Sequence, residues 1–169
     1  MEIENFMFFW RGEFSQWYKS DMYDPITGLW FNCCEQYMMY KKAELFGDVD
    51  SMADIMEARS PRDHQSIGRK VKNYDDAKWD SVCQNIVAYA NYLKFTQNPE
   101  LLIILLGYEG FTFVEASPYD CKWGVGLAED NTDIYVRHKW RGTNWLGIAL
   151  NEVMAKILDD QKYWNEKKR

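Results

Sequence analysis

Long apolar runs are missing from this chain. No stretch approaches the roughly 20 residues that a membrane helix needs, and the opening segment MEIENFMFFWRGE carries acidic residues where a secretion signal carries basic ones. The expectation is a soluble, cytoplasmic protein with no membrane partner. Histidine is scarce: His64 and His138 are the only two, too few for the common zinc ligand sets, so no metal is expected. The four cysteines (Cys33, Cys34, Cys83, Cys121) contain no Cys-x-x-Cys pair, and the neighbours Cys33 and Cys34 do not readily bridge to each other, so all are read as reduced thiols. A formal net charge of −6 excludes a nucleic-acid binder held by its overall field. No Gly-x-Ser-x-Gly elbow, Walker phosphate loop or dinucleotide-binding fingerprint occurs, and no internal repeat, linker or low-complexity tract.

What is abundant is aromatic. Eight Trp, eleven Tyr and nine Phe in 169 residues supply core volume and flat surfaces that stack on planar ligands. The length fits one domain, residues 1–161, followed by a charged tail at 162–169 that is expected to fray. Positive charge is local: Arg59, Arg62, Arg69, Lys70 and Lys72 face only Asp63 in one segment, and RHKWR at 137–141 is a second. Each fits a solvated helix face or a phosphate-binding rim.

Periodicity predicts a mainly α fold with a few short β-strands. Residues 6–10 read as a strand leading into a pocket-lining loop at 11–18, 24–28 as a turn, and 29–31 as extended chain. Asn32 is the expected N-cap of a helix that Gly47 ends. A short helix follows near 51–58, and Ser60-Pro61 starts another that stops near Gly68. The longest helix is expected from Asp75 or Asp76 through Phe95. Asn98-Pro99 restarts a segment whose all-round apolar character suggests full burial. A strand at 111–116, a Gly- and Pro-containing loop at 117–127, a short strand at 134–136 and a closing helix from Leu146 complete the chain.

Two stretches carry candidate chemistry. On a helix through 31–46, Glu35, Met38, Met39, Lys42 and Phe46 share one face, with Tyr37, Tyr40, Lys41 and Glu44 opposite. A carboxylate and an amine on an otherwise apolar stripe pay for desolvation unless they meet each other or a polar ligand. Both readings stand: an ion pair or two snorkelling side chains, or a site between them. In the loop, Gly124 and Gly126 let backbone N–H groups approach an anion, Trp123 offers a ring for stacking, and Asp120 fits a sugar hydroxyl or acid–base role. Arg69 suits phosphate, or is an exposed residue after a helix-ending glycine. Asn144 fits a ligand edge or a helix cap, and Trp79 a core position or a stacking wall.

Taken in order, GEFSQW (12–17), CEQYMMYKKAELFGD (34–48), Gly68-Arg69, Trp79, KFTQNPEL (94–101), EASPYDCKWGVGL (115–127) and WRGTNWLG (140–147) resemble the NADAR, or YbiA-like, family over essentially the whole chain. The resemblance implies a mainly helical fold and N-glycosidase activity without a cofactor. Some members release ribose 5-phosphate from ribosylamino pyrimidine phosphates of riboflavin synthesis; others remove ADP-ribose from the amino group of guanine in DNA or RNA. It implies Glu35, Lys42 and Asp120 as catalytic residues. It implies Gly12, Glu13, Phe14, Ser15, Arg69, Trp79, Ser117, Trp123, Gly124, Gly126 and Asn144 as substrate-binding ones. Two departures stand out. His64, Gln65 and Ser66 occupy positions where the family often has a lysine, and Gln16-Trp17 replaces the Asn-Phe of riboflavin-type members. The second speaks against a riboflavin intermediate, and together with the local basic segments it favours ADP-ribosylated guanine as substrate. A non-catalytic module that binds ADP-ribose is the alternative from another class.

Overall fold

Apolar residues at helical spacing become helices over most of residues 4–168, the part described by the computed structural model. The element order is β1 (Phe6–Phe9), β2 (Met22–Asp24), β3 (Leu29–Phe31), α1 (Cys34–Leu45), α2 (Val49–Glu57), α3 (Pro61–Gly68), α4 (Asp76–Asp80), α5 (Cys83–Gln97), α6 (Pro99–Leu106), β4 (Thr112–Glu115) and α7 (Trp145–Lys167). Two 3-10 turns, Thr132–Tyr135 and Arg137–Lys139, lie between β4 and α7. The expected mainly α fold with a few short strands is what forms. The chain divides into two compact units: Gln16–Asn98, continuous in sequence, and Met1–Ser15 with Pro99–Arg169.

In the unit Gln16–Asn98, β2 and β3 form an antiparallel hairpin. Its turn is built by the Asp24 carboxylate, which accepts the Ile26 and Thr27 amides and the Thr27 hydroxyl, and by Gly28 at φ +73°. The side-chain amide of Gln97 then accepts from the Tyr23 N–H and donates to the Tyr23 carbonyl, both at 2.7 Å, and so ties the end of α5 to the hairpin. Helix α1 is buried along nearly its whole length. Tyr37 and Tyr40, expected on a polar face, are instead core residues: both meet the Phe31 ring edge-on, and Tyr37 also packs on Tyr89. Asn32 is not the cap of α1. Cys33 takes that position without a side-chain bond, while Asn32 donates to the Arg59 carbonyl and meets His64 Nε2 at 3.3 Å. Ser60 caps α3 with Pro61 behind it, as the sequence reads. The long helix expected from Asp75 is broken. Asp75 caps α4, and Ser81 donates its hydroxyl back to the Lys78 carbonyl, so the ladder stops before α5 begins.

In the other unit, β1 and β4 pair in parallel, with Phe6 opposite Thr112 and Phe9 opposite Glu115. Parallel strands are rarely stable as a pair alone, and the second edge of β4 is satisfied by two asparagines, one just before α7 and one on it. Asn144 accepts the Glu115 N–H at 3.0 Å and donates to the Phe113 carbonyl at 2.9 Å. Two helical turns on, Asn151 accepts the Phe113 N–H at 3.1 Å and donates to the Phe111 carbonyl at 2.8 Å. Two asparagines thus stand in for a third strand. Truncating either to alanine strands buried amide and carbonyl groups; about 2 kcal/mol is expected for Asn151→Ala and about 3 kcal/mol for the fully buried Asn144→Ala, read as shifts in urea midpoint.

The core of this unit gathers Val114, Ala116, Val125, Leu127 and Ile134, with Phe6, Phe8 and Trp140 against it. Helix α6 is not fully buried: Leu101 and Leu105 face inward, but Ile103 is 72% exposed. The strand expected at 134–136 is a 3-10 turn capped by Asn131, and α7 continues as helix through the charged segment expected to fray. Among the described residues no helix is long and apolar enough to cross a membrane.

At the start of β1, Glu4 pairs with Arg137 and accepts the Thr112 hydroxyl at 2.7 Å. The guanidinium holds its carboxyl down to about 2 from an ordinary value of 4.5. A depressed carboxylate stabilises the fold above about pH 4.5, and that contribution is lost as pH falls toward about 2. Both side chains are more than a third exposed, so the effect is small and screened by salt. Arg137→Ala should flatten this part of the acid-denaturation curve, and 1 M salt should do much the same to the wild type.

Candidate active site

The segment Gln16–Tyr18 fixes the head of α1. The Gln16 carbonyl accepts the Glu35 N–H at 3.0 Å, its Nε2 lies 4.0 Å from Met38 Sδ, and its Oε1 accepts from the buried Asn91 at 2.8 Å. Glu35 is 6% exposed, a carboxylate inside the unit as its place on the apolar stripe suggests. Two turns further along α1, the Lys42 ammonium lies 4.3 Å from the centre of the Tyr74 ring and 5.9 Å from that of Trp79. Trp79 is a buried residue, so its ring backs Lys42 and is not an open stacking wall. Gly68 closes α3 against α1 so tightly that a Cβ there would fall 2.0 Å from Met39 Sδ. That contact places the following Arg69, exposed, at the end of α3 that abuts the Glu35–Lys42 face. One unit therefore holds Glu35 and Lys42 on α1, Trp79 of α4 beside Lys42, and Arg69 at the end of α3.

Lys94 and Tyr74 were not among the residues singled out in the sequence. Lys94 is fully buried on α5, and the signal for it is present: it stands at i+7 on the stripe Val87, Ala90, Asn91. Its ammonium lies 5.4 Å from the Tyr18 ring and 5.1 Å from the Phe95 ring. Cys34, also buried, is pushed up to about 11, chiefly by burial; the Lys94 cation pulls it down and Glu35 pushes it up. Cys33 is pushed up to about 12 for the same main reason. All four cysteines are free, and among the described residues no three of His, Cys, Asp and Glu group as a metal would need.

The other unit holds the loop 117–127. Asp120 Oδ1 accepts the amides of Lys122 and Trp123 at 2.8 and 2.7 Å, and the Asp120 amide donates to the buried Ser117 hydroxyl at 3.2 Å. These bonds commit one carboxylate oxygen and Ser117 to shaping the loop. Packing requires both glycines. A Cβ at Gly124 would press on the Asp120 and Glu115 carbonyls at 3.0 Å, while Gly126, at φ +69°, would meet Cys121 Sγ at 2.8 Å and donates its amide to the Asp120 carbonyl. Trp123 packs edge-on against Trp145. Asn144, at φ +54°, makes no side-chain cap of α7, and both ends of its amide are bonded to β4. Of residues 12–15, Gly12 at φ +82° makes the turn closed by the Ser15 amide, Glu13 is half-buried, and Phe14 is core, ringed by Phe9, Tyr108 and Phe113.

The NADAR domain family model matches residues 8–158. The chain is 37% identical over 164 residues to N-glycosidase R617 of Acanthamoeba polyphaga mimivirus, which covers 90% of this chain and 96% of that one. It is 30% identical over 129 residues to the chloroplastic riboflavin biosynthesis protein PYRR of Zea mays, a match over 70% of this chain and 19% of that protein. The NMR structure of the E. coli protein YbiA shares the fold, with a TM-score of 0.76 at 23% identity, over 95% of this chain and 89% of that one.

Proposed function

The chain belongs to the NADAR domain family, and on that premise we propose that it is an N-glycosidase whose substrate is ADP-ribose carried on the amino group of guanine in nucleic acid. The observation that carries the reading is Glu35, a carboxylate closed off from water on the same helix face as Lys42. Cleavage breaks the bond between ribose C1 and the amino nitrogen. The bonding pair leaves with nitrogen, the ribose passes through an oxocarbenium-like state, water adds to C1, and the proton balance is closed by protonation of the departing amine. A fixed carboxylate in a dry setting opposes the positive charge that develops on the ribose. We assign that role to Glu35, and to Asp120 the shaping of its loop.

Lys42 has a second job to offer. Two ring faces favour its charged form, so we assign it to hold a ribose or phosphate oxygen. Attack by the neutral amine on ring-opened C1 would instead leave a Schiff base, and borohydride trapping with mass spectrometry separates the two: an adduct on Lys42 overturns the cation role.

Guanine in nucleic acid is preferred because Arg59, Arg62, Arg69 and Lys70 are all exposed around α3, ready for a phosphate chain. The Gln16-Trp17 variant speaks less directly than its sequence implies, because Gln16 is buried and engaged with Asn91 and α1. Riboflavin intermediates are the second reading, favoured by the likeness to PYRR. Purified protein is incubated with guanine-ADP-ribosylated DNA and, in parallel, with ribosylamino pyrimidine phosphates, and products are followed by mass spectrometry. ADP-ribose release supports the proposal, ribose 5-phosphate release alone transfers it to the second reading, and binding without release from either makes the protein a recognition module.

A further inference from the structure

A lysine is almost never sealed inside a protein without a compensating charge, and Lys94 is sealed. It sits three residues after Asn91 on one face of α5. Asn91 donates to Gln16, and the Lys94 ammonium approaches the Tyr18 ring, so Gln16–Tyr18 runs along this face. The same segment receives the Glu35 amide on its Gln16 carbonyl. Segment, α1 and α5 meet where Glu35 and Lys94 are both closed off from solvent. The buried Cys34 thiol, next to Glu35 at the head of α1, feels both charges, with opposite sign.

We propose that Lys94 is a positioning residue for Glu35: a buried counter-charge that keeps Glu35 ionised across the working pH range, so that Glu35 acts as a carboxylate and not as the proton donor. Burial alone would drive a glutamate toward its neutral form. Among the described residues, Lys94 is the one lysine or arginine that is buried. Cys33 and Cys34, on and just before α1, are held neutral by burial; Tyr18, from the adjoining segment, carries no positive charge. On α3, burial lowers the pKa of His64, which meets Asn32. Lys42 is only half-buried, with its ammonium 4.3 Å from the centre of the Tyr74 ring. Lys94 and Glu35 are both buried in this unit.

The kinetic half of this inference rests on the N-glycosidase reading; the electrostatic half does not. The test is an NMR titration of ¹³C-labelled glutamate, with the Glu35 carboxyl identified by its absence in Glu35→Gln. Wild type should titrate below the ordinary glutamate value of about 4.3, and Lys94→Met should raise the midpoint by at least one unit, with the acid limb of the pH–rate profile moving by the same amount. Lys94→Arg, which keeps the charge, should leave the midpoint near that of wild type. A folded Lys94→Met with an unmoved midpoint overturns the proposal. Should that variant not fold, a wild-type midpoint above about 6 does so by itself. A shifted midpoint in protein that turns over no glycoside would sink the N-glycosidase reading and leave the pairing in place.

Discussion

Replacing Glu35 by glutamine is expected to lower turnover about 10³-fold, the scale on which a preorganised charge opposite a developing cation acts. Glutamine keeps the shape of the side chain and removes its charge, so substrate affinity should change far less than kcat. The same change leaves Lys94 buried without its counter-charge and should cost about 3 kcal/mol of stability. Rates must therefore be compared below the variant's melting temperature. A Glu35 that merely braced the helix would show the stability loss with turnover inside about tenfold of wild type, and that outcome would remove it from the chemistry.

Gly147→Ala is expected to be the most damaging single methyl in the chain. A Cβ at this first-turn position of α7 falls 2.1 Å from the Phe113 carbonyl oxygen and 2.4 Å from Asn144 Nδ2, so the helix must back away from β4 and take the asparagine bonds with it. About 3 kcal/mol, or roughly a 10 °C fall in Tm, is the expected cost. Hydrogen exchange should report it locally, with the amides of Phe113 and Glu115 losing protection first. A Tm within one degree of wild type would mean that α7 and β4 have slack this geometry does not show. At Gly68 the clash is nominally closer, 2.0 Å, but its partner is the thioether of Met39, which can swing aside where a strand carbonyl cannot.

The helices were legible in the sequence wherever a local signal set them, as at Ser60-Pro61 and Gly47. They were misread where a distant partner decided. Tyr37 and Tyr40 looked like a polar face because nothing local announces that Phe31 and Tyr89 will cover them. The apolar run of α6 looked buried because composition does not say that Ile103 faces outward. On the candidate site, Glu35 and Lys42 stood out as charges on an apolar stripe, and Lys94 obeyed the same rule on α5 without being singled out. Asn144, Gly124 and Gly126 were visible as unusual residues, but nothing local announced that the Asn144 amide would bond β4 or that the two glycines would be closely packed. Residue type alone does not distinguish a side chain that grips a ligand from one that grips a strand.

The pairing of Phe6 with Thr112 joins positions more than a hundred residues apart. During synthesis, β1 leaves the ribosome early and has no strand to meet until β4 follows, while Gln16–Asn98 is complete in itself and free to fold in between. The helix face bearing Glu35, Lys42 and Lys94's partner segment should thus form first, and the ladder between β1 and β4, with its large loop to close, should set the slow phase of refolding.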